Sequence, residues 1–271
     1  MLQIDKIDTN LKPNYRNYNR YERCKNITKP YILGCFSVDQ NLQFIPDYSK
    51  CQYLKLPPSN GNIHFDLNEG YENVQHKPQK EYGIKLDHIL KFISLNLETL
   101  YSNEPKQKLL KYDIICYRGK LRMLMCTPYE FKEGWSLCVT KWKGNIYLCE
   151  FETERAKARR LGVTEQSVKI CSYGFKFEQF MMSKSPAKDI DTSAPVLEAE
   201  EFCCVFTSKL GNTTMLYGAE MDGIESETTI DLSKNNLNDL KFTELKVRIK
   251  PSNQRQVETG LKQGIGGVSL I

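Results

Sequence analysis

The sequence predicts an α+β fold, on three observations. Short apolar runs of strand length, bounded by Gly, Pro, Asn and Asp, recur at 31–37, 113–126, 135–151, 201–210, 213–224 and 242–249. Between them lie stretches that read as helix, at 86–100, 153–161 and 165–182. No stretch repeats another, and no interdomain linker stands out. At 271 residues the chain suits one large domain or at most two small ones.

Taken in order, residues 1–30 interleave Tyr, Asn and basic residues (NYRNYNRYERCKN) and read as a flexible N-terminal segment. Such interleaving can also bind single-stranded nucleic acid by stacking and phosphate contact. A surface tail is the simpler reading. YILGCFS (31–37) reads as a strand, and Leu56–Gly61 as a loop by its Pro, Ser, Asn and Gly content. Residues 65–71 have turn character. In 86–100, Leu86, Ile89, Leu90, Ile93, Leu97 and Leu100 recur at helical spacing, with His88 expected on the surface. DIICYRGKLRMLMC (113–126) reads as strand, turn, strand, with Arg118, Gly119 and Lys120 at the turn. Residues 135–151 read as a hairpin turning at Lys143-Gly144-Asn145. The basic helix 153–161 is either a solvated face or a patch on an RNA path. In the helix 165–182, Glu178 lies among Phe175, Phe177, Phe180 and Met181, and a carboxylate in that company needs a partner. A polar loop (184–198), a strand (201–210), the Gly211-Asn212 turn and a strand to 224 follow. Another polar loop leads to the strand of Glu244 and Lys246.

A net charge of +5 is mildly basic and compatible with a polyanionic partner. No apolar run reaches the length of a membrane span, and MLQIDKIDTN carries no signal-peptide core. The ten cysteines contain no C-x-x-C pair, and none of the three histidines lies near two of them. Most sit in apolar strand-like runs, where a reduced cysteine packs as a small hydrophobe. Buried free thiols imply a reducing compartment, nucleus or cytosol.

Two short segments carry the charges that matter. Glu220 and Asp222 are two apart, as are Glu244 and Lys246, so within strands each pair shares a face. If the strands pair, three carboxylates and one ammonium converge. Such carboxylates repel unless protonated or bridged, and Mg²⁺ or Mn²⁺ would bridge them. The lysine would then hold an attacking water or a scissile phosphate. The alternative is that both patterns are merely the solvated faces of amphipathic strands. Met215, Leu216, Tyr217, Met221 and Ile224 on one side, and Phe242, Leu245, Val247 and Ile249 on the other, favour inner strands.

Several motifs, in order, resemble the DXO family of decapping exoribonucleases. The likeness starts near Gly34-Cys35-Phe36-Ser37 and runs to about Gln254. Arg118-Gly119 follows an aromatic and precedes Thr127-Pro128-Tyr129-Glu130. Glu133-Gly134-Trp135 and Glu150-Phe151-Glu152-Thr153 come next, then Gly174-Phe175-Lys176-Phe177-Glu178-Gln179. Glu220-Met221-Asp222 matches the family's Glu-x-Asp motif and Glu244-Leu245-Lys246 its Glu-x-Lys motif.

The resemblance implies two mixed β-sheets flanked by helices, related to the Asp…Glu-x-Lys nuclease core. It implies two Mg²⁺ or Mn²⁺ ions held by Glu178, Glu220, Asp222, Glu244 and the Leu245 carbonyl, with Lys246 at the scissile phosphate or water. Tyr117, Arg118, Gly119 and Cys203 would line the RNA site, which also takes in Glu220 and Lys246. The implied activity is removal of incomplete caps, NAD caps or 5′ pyrophosphate, with 5′→3′ RNA degradation, in the nucleus and possibly the cytoplasm. A larger 5′→3′ exoribonuclease is an implied partner. Family members continue past the Glu-x-Lys strand with a Lys-Trp-Trp-like helix, a substrate-contacting glutamine and further strands. RQVETGLKQGIGGVSLI matches none of these. The expected organisation is therefore a flexible 1–30, a decapping domain over 31–254 lacking its C-terminal part, and a divergent tail over 255–271. The competing readings are an inactive RNA-binding or scaffolding form and a DNA nuclease of the same core class.

Overall fold

Residues 27–57, 65–78, 85–130 and 134–247 are described by the structure, a computed structural model. The expected N-terminal segment up to residue 26, residues 58–61 of the loop, Glu133 and the tail lie outside them.

The apolar runs become β1 (Tyr31–Val38), β2 (Phe44–Ile45) and β3 (Tyr53–Leu54). α1 (Asp87–Leu95) and α2 (Leu97–Leu100) follow, then β4 (Ile114–Tyr117) and α3 (Arg118–Cys126). β5 (Ser136–Trp142) and β6 (Asn145–Phe151) form the expected hairpin, turning through Lys143 and Gly144, both at positive φ. α4 (Glu154–Leu161), α5 (Glu165–Met181) and β7 (Met182–Ser183) lead to β8 (Glu201–Leu210) and β9 (Thr213–Glu220). β10 (Gly223–Ile224) and β11 (Phe242–Thr243) end the described elements.

The strands form two mixed sheets, as expected. One has seven strands in the order β2-β1-β8-β9-β4-β6-β5, the other four in the order β11-β10-β3-β7. β8 and β9 pair antiparallel from Cys203↔Glu220 to Leu210↔Thr213, while β4 lies parallel to β9. Asp113 fixes that register: its carboxylate accepts from the Thr214 amide and hydroxyl, both at 2.7 Å, and from Lys108 Nζ at 2.7 Å.

Both faces of the larger sheet are covered. Phe36, Cys203, Val205 and Leu216 pack with Ile89 and Phe92 of α1. Cys204, Phe206, Tyr217 and Met221 pack with Leu121 of α3 and with Ile224 and Leu232. That is why β8 reads as the unbroken apolar run FCCVF. Each fully buried large side chain, such as Phe36 or Phe206, contributes about 1.5–3 kcal/mol.

Four expectations are corrected. Arg118–Cys126 is a helix, not a turn and second strand: KLRMLM are strong helix formers, and Leu121 and Leu124 reach the core at i, i+3. The 86–100 helix breaks at Asn96, whose side-chain amide donates to the Phe92 carbonyl at 2.9 Å. His88 is buried, not on the surface: its ring packs beside Phe36 and Phe44, and Nε2 lies 3.2 Å from the Leu42 carbonyl oxygen. Burial lowers its pKa. Glu244 and Lys246 lie beyond the two-residue β11, which is an edge strand, whereas β9 is an inner one.

The described cysteines are free thiols; Cys51, Cys116, Cys203 and Cys204 are buried, while Cys126 and Cys171 are exposed. Burial pushes Cys51 and Cys116 up to about 12. Among the described residues no helix is long and apolar enough to cross a membrane.

Gly223 sets how closely the sheets' junction is built. A Cβ there would lie 2.6 Å from the Gln52 carbonyl oxygen, because β10 runs against β3 with Ile224 N–H donating to that oxygen at 2.9 Å. Gly223→Ala is expected to cost about 2 kcal/mol, read as a lowered denaturation midpoint, because the obstacle is backbone.

Candidate active site

β9 leaves the seven-stranded sheet at Glu220, and the chain enters the four-stranded sheet at Gly223. Met221 locks the crossing: it is buried and its N–H donates to the Phe202 carbonyl at 2.9 Å. Asp222 therefore sits between the sheets, not on β9. Gly223 pairs with Thr243 of β11, which brings Glu244 next to Asp222, and the Leu245 N–H donates to Asp222 Oδ2.

α5 supplies the fourth carboxylate. Thr164 caps it by accepting from the Ser167 amide at 3.2 Å. Its Phe177 and Met181 pack with Met182 and Leu245, and this seats Glu178 against the sheet junction.

The carboxylates act on one another. Burial first, then Asp222 and Glu220, push Glu178 up to about 8. Burial, Glu201 and Asp222 push Glu220 up to about 7. Burial raises Asp222 to about 6, with Glu244 adding to it and the Leu245 amide opposing. Glu220 is nevertheless open to solvent.

Cations flank this set. Lys246 Nζ lies 2.5 Å from Glu244 Oε1, and Arg118 Nη2 lies 4.0 Å from Glu244 Oε2. Burial opposes the Lys246 charge, but the Glu244 bond and the fields of Asp222 and Glu178 hold its pKa above the usual lysine value. Tyr117, just before Arg118, pairs with Gly218 of β9, where a Cβ would lie 3.0 Å from the tyrosine ring. The missing side chain leaves room for that ring. Cys203 is opposite Glu220 in the strand register and buried. Gly119 is the second residue of α3, and apart from its chain neighbours and its own helix's backbone no atom lies within 4 Å of where a Cβ would stand.

The structure thus draws Glu178, Glu220, Asp222, Glu244 and Lys246 together, with Arg118 and the Leu245 amide, and sets Tyr117 against Gly218 and Cys203 opposite Glu220. Sequence reasoning missed Glu201 and Lys77. Glu201 raises both Glu220 and Tyr117, and its Oε2 lies 3.7 Å from Cys203 Sγ. Its signal was legible, since Glu201 and Cys203 are two apart on one strand. Lys77 had no local signal.

Oxygen donors that raise one another's pKa suit a hard divalent cation. The shell is not pre-assembled: among the described residues no three acidic, histidine or cysteine side chains stand in ligating geometry. Instead Glu244 turns to Lys246 and Asp222 to the Leu245 amide. A surface cavity of ≈ 490 Å³ between β1 and residues 232–238 holds none of these groups.

The profile of the RAI1-like PD-(D/E)XK nucleases matches residues 28–262. The chain belongs to that family. The Drosophila melanogaster decapping and exoribonuclease protein Rai1 is 33% identical over 241 residues, 86% of this chain and 63% of that protein. The human decapping and exoribonuclease protein is 36% identical over 195 residues, 72% of this chain and 48% of that protein. The chain thus spans about half to under two thirds of their length. Among solved RAI1-like folds, Candida albicans Rai1 in complex with pU5-Mn²⁺ superposes with TM-score 0.69 at 17% identity, covering 93% of this chain and 65% of that one. Scheffersomyces stipitis Rai1 with (3′-NADP)⁺ and calcium ion gives 0.60 at 19% identity, covering 85% and 64%.

Proposed function

We propose that this protein is a divalent-metal-dependent hydrolase of RNA 5′ ends. It removes incomplete caps, NAD caps or pyrophosphate and degrades RNA 5′→3′. The observation that carries the reading is the cluster of Glu178, Glu220, Asp222 and Glu244, flanked by Lys246 and Arg118, where the two sheets meet. Four carboxylates that repel one another are costly for the fold and useful for chemistry. Their relatives are named decapping and exoribonuclease proteins, and relatives of the same fold are solved with Mn²⁺, calcium ion, RNA and dinucleotide.

In this reading Mg²⁺ or Mn²⁺, as two ions, would be held by the four carboxylates and the Leu245 carbonyl, supplying Lewis-acid polarisation of the phosphoryl oxygens and of water. The chain's own residues do the rest. Lys246 keeps its charge and offers it to the phosphoryl oxygens as negative charge builds on them. Arg118, at the start of α3, can grip a phosphate in a fork. Tyr117 and Gly119 line the RNA path, the tyrosine ring as a surface for a base or ribose and Gly119 as a close approach for the backbone, with Cys203 buried behind them. Association with a 5′→3′ exoribonuclease, and residence in the nucleus, belong to the same proposal and rest on the family and on the free thiols.

The test uses RNAs labelled at the 3′ end and bearing a 5′ monophosphate, triphosphate, unmethylated cap or NAD. They are incubated with protein and Mg²⁺ or Mn²⁺. Metal-dependent loss of the 5′ group, absent from Glu220→Ala/Asp222→Ala protein, is the expected result, and the preferred end names the substrate. Folded protein that binds these RNAs and cleaves none of them would replace the hydrolase by an RNA-binding role.

A further inference from the structure

Lys77 sits on a segment held in place by more bonds than a surface loop requires. The Gln75 N–H donates to the Val196 carbonyl at 2.9 Å, and the Glu198 N–H to the Gln75 carbonyl at 3.1 Å. Gln40 Nε2 donates to the Gln75 carbonyl at 2.8 Å, and its Oε1 accepts from the Ala199 amide at 3.0 Å. His76 Nδ1 lies 2.9 Å from Glu198 Oε2, and the Ser172 hydroxyl on α5 donates to Glu198 Oε1. The Lys77 side chain, about half exposed, reaches from this platform to Glu201 Oε1. Glu201 in turn faces Cys203, and Cys203 stands opposite Glu220. A pre-positioned ammonium therefore lies on the Glu220 flank of the site. Lys246 and Arg118 serve the Glu244 flank.

We propose that Lys77 is a phosphate-binding residue of the RNA path, and that Glu201 occupies it as an anionic stand-in until RNA arrives. The ligand chemistry is a backbone phosphodiester of single-stranded RNA, and the proposal rests on the RNA reading above. A half-solvated ion pair contributes little to stability, so exchanging its carboxylate for a phosphate is nearly neutral. The exchange leaves Glu201 uncompensated beside Glu220, so Glu201 opposes binding. The pair thus sets how tightly RNA is held without touching the scissile bond.

The experiment is fluorescence anisotropy of a 3′-labelled, 5′-monophosphorylated single-stranded RNA over a salt series, with Ca²⁺ as the cation and RNA integrity checked on a gel. Lys77→Met should weaken binding about fivefold and lower the slope of log affinity against log salt by about 0.7, the share of one phosphate contact. Glu201→Gln should strengthen binding about threefold, and adding Lys77→Met should abolish that gain. Unchanged melting temperatures would show that no variant acts through unfolding. Wild-type protein that binds RNA as Lys77→Met does, with the same salt slope, would overturn the assignment alone. Weakening by Glu201→Gln equal to that of Lys77→Met would mean the pair is only a staple, and also overturns it. Wild-type protein that binds no RNA would remove the RNA reading and this inference with it.

Discussion

Asp222→Asn is expected to lower the rate of RNA 5′-end hydrolysis about a thousandfold while leaving the protein folded. Asparagine keeps an oxygen that can accept from the Leu245 amide, so the link between β10 and the segment after β11 survives. What it loses is the charge shared with Glu178 and Glu244. Single-turnover rates at saturating Mn²⁺ measure the effect, with thermal melts run beside them. At neutral pH the variant should melt no lower than wild type, because one of the repelling charges is gone. A residual rate within tenfold of wild type would place the chemistry elsewhere in the molecule. Glu220→Gln should behave alike. Lys246→Met should lose activity and keep its affinity for metal, since its role is to meet the phosphoryl charge.

Without divalent cations, stability should fall as pH rises from about 5 to about 8. The sign follows from the raised values: Glu178 near 8, Glu220 near 7 and Asp222 near 6 in the folded protein, against 4.5, 4.5 and 3.8 ordinarily. Across that window the folded chain holds protons that the unfolded chain has released. Unfolding therefore becomes easier as pH rises. The stabilisation is complete below the ordinary carboxylate values and is lost as pH passes through the folded ones. The loss is read as a denaturation midpoint lower at pH 8 than at pH 5. Denaturant titrations in chelator at three pH values measure it, and Glu178→Gln should remove the largest part. Mn²⁺ should restore the loss, with an apparent affinity that climbs over the same range as protons leave the ligands. A flat profile in chelator, or Mn²⁺ affinity independent of pH, would show that the carboxylates do not act on one another.

Local signals in the chain specify much of this architecture, and long-range packing specifies the rest. The helix 165–181 and the hairpins at 136–151 and 201–220 announce themselves because periodicity and turn residues are local. Glu178 was legible as a carboxylate that needs a partner; its partners turn out to be other carboxylates. The Arg118–Cys126 segment was misread because its apolar residues fit both a strand and a helix, and only the packing of Leu121 and Leu124 decides. His88 was misplaced because one polar residue on an apolar helix gives no sign that a carbonyl, that of Leu42, waits for it.

The order of residues supplies the inventory: which acids, lysine and arginine exist, their spacing of two, and the apolar runs that carry them. Those are properties of single elements, encoded by neighbours in the chain. Folding of the whole chain is what assigns Glu220 and Asp222 to the seam between two sheets, and not to one strand. It also decided that Glu244 arrives beside Asp222 through the β10–β11 pairing, and that Lys77 stands over Glu201 from more than a hundred residues away. Convergence of that kind depends on which strands pair and where a chain crosses between sheets. Those choices are made by the free energy of burying whole faces, a quantity that no short window of sequence contains.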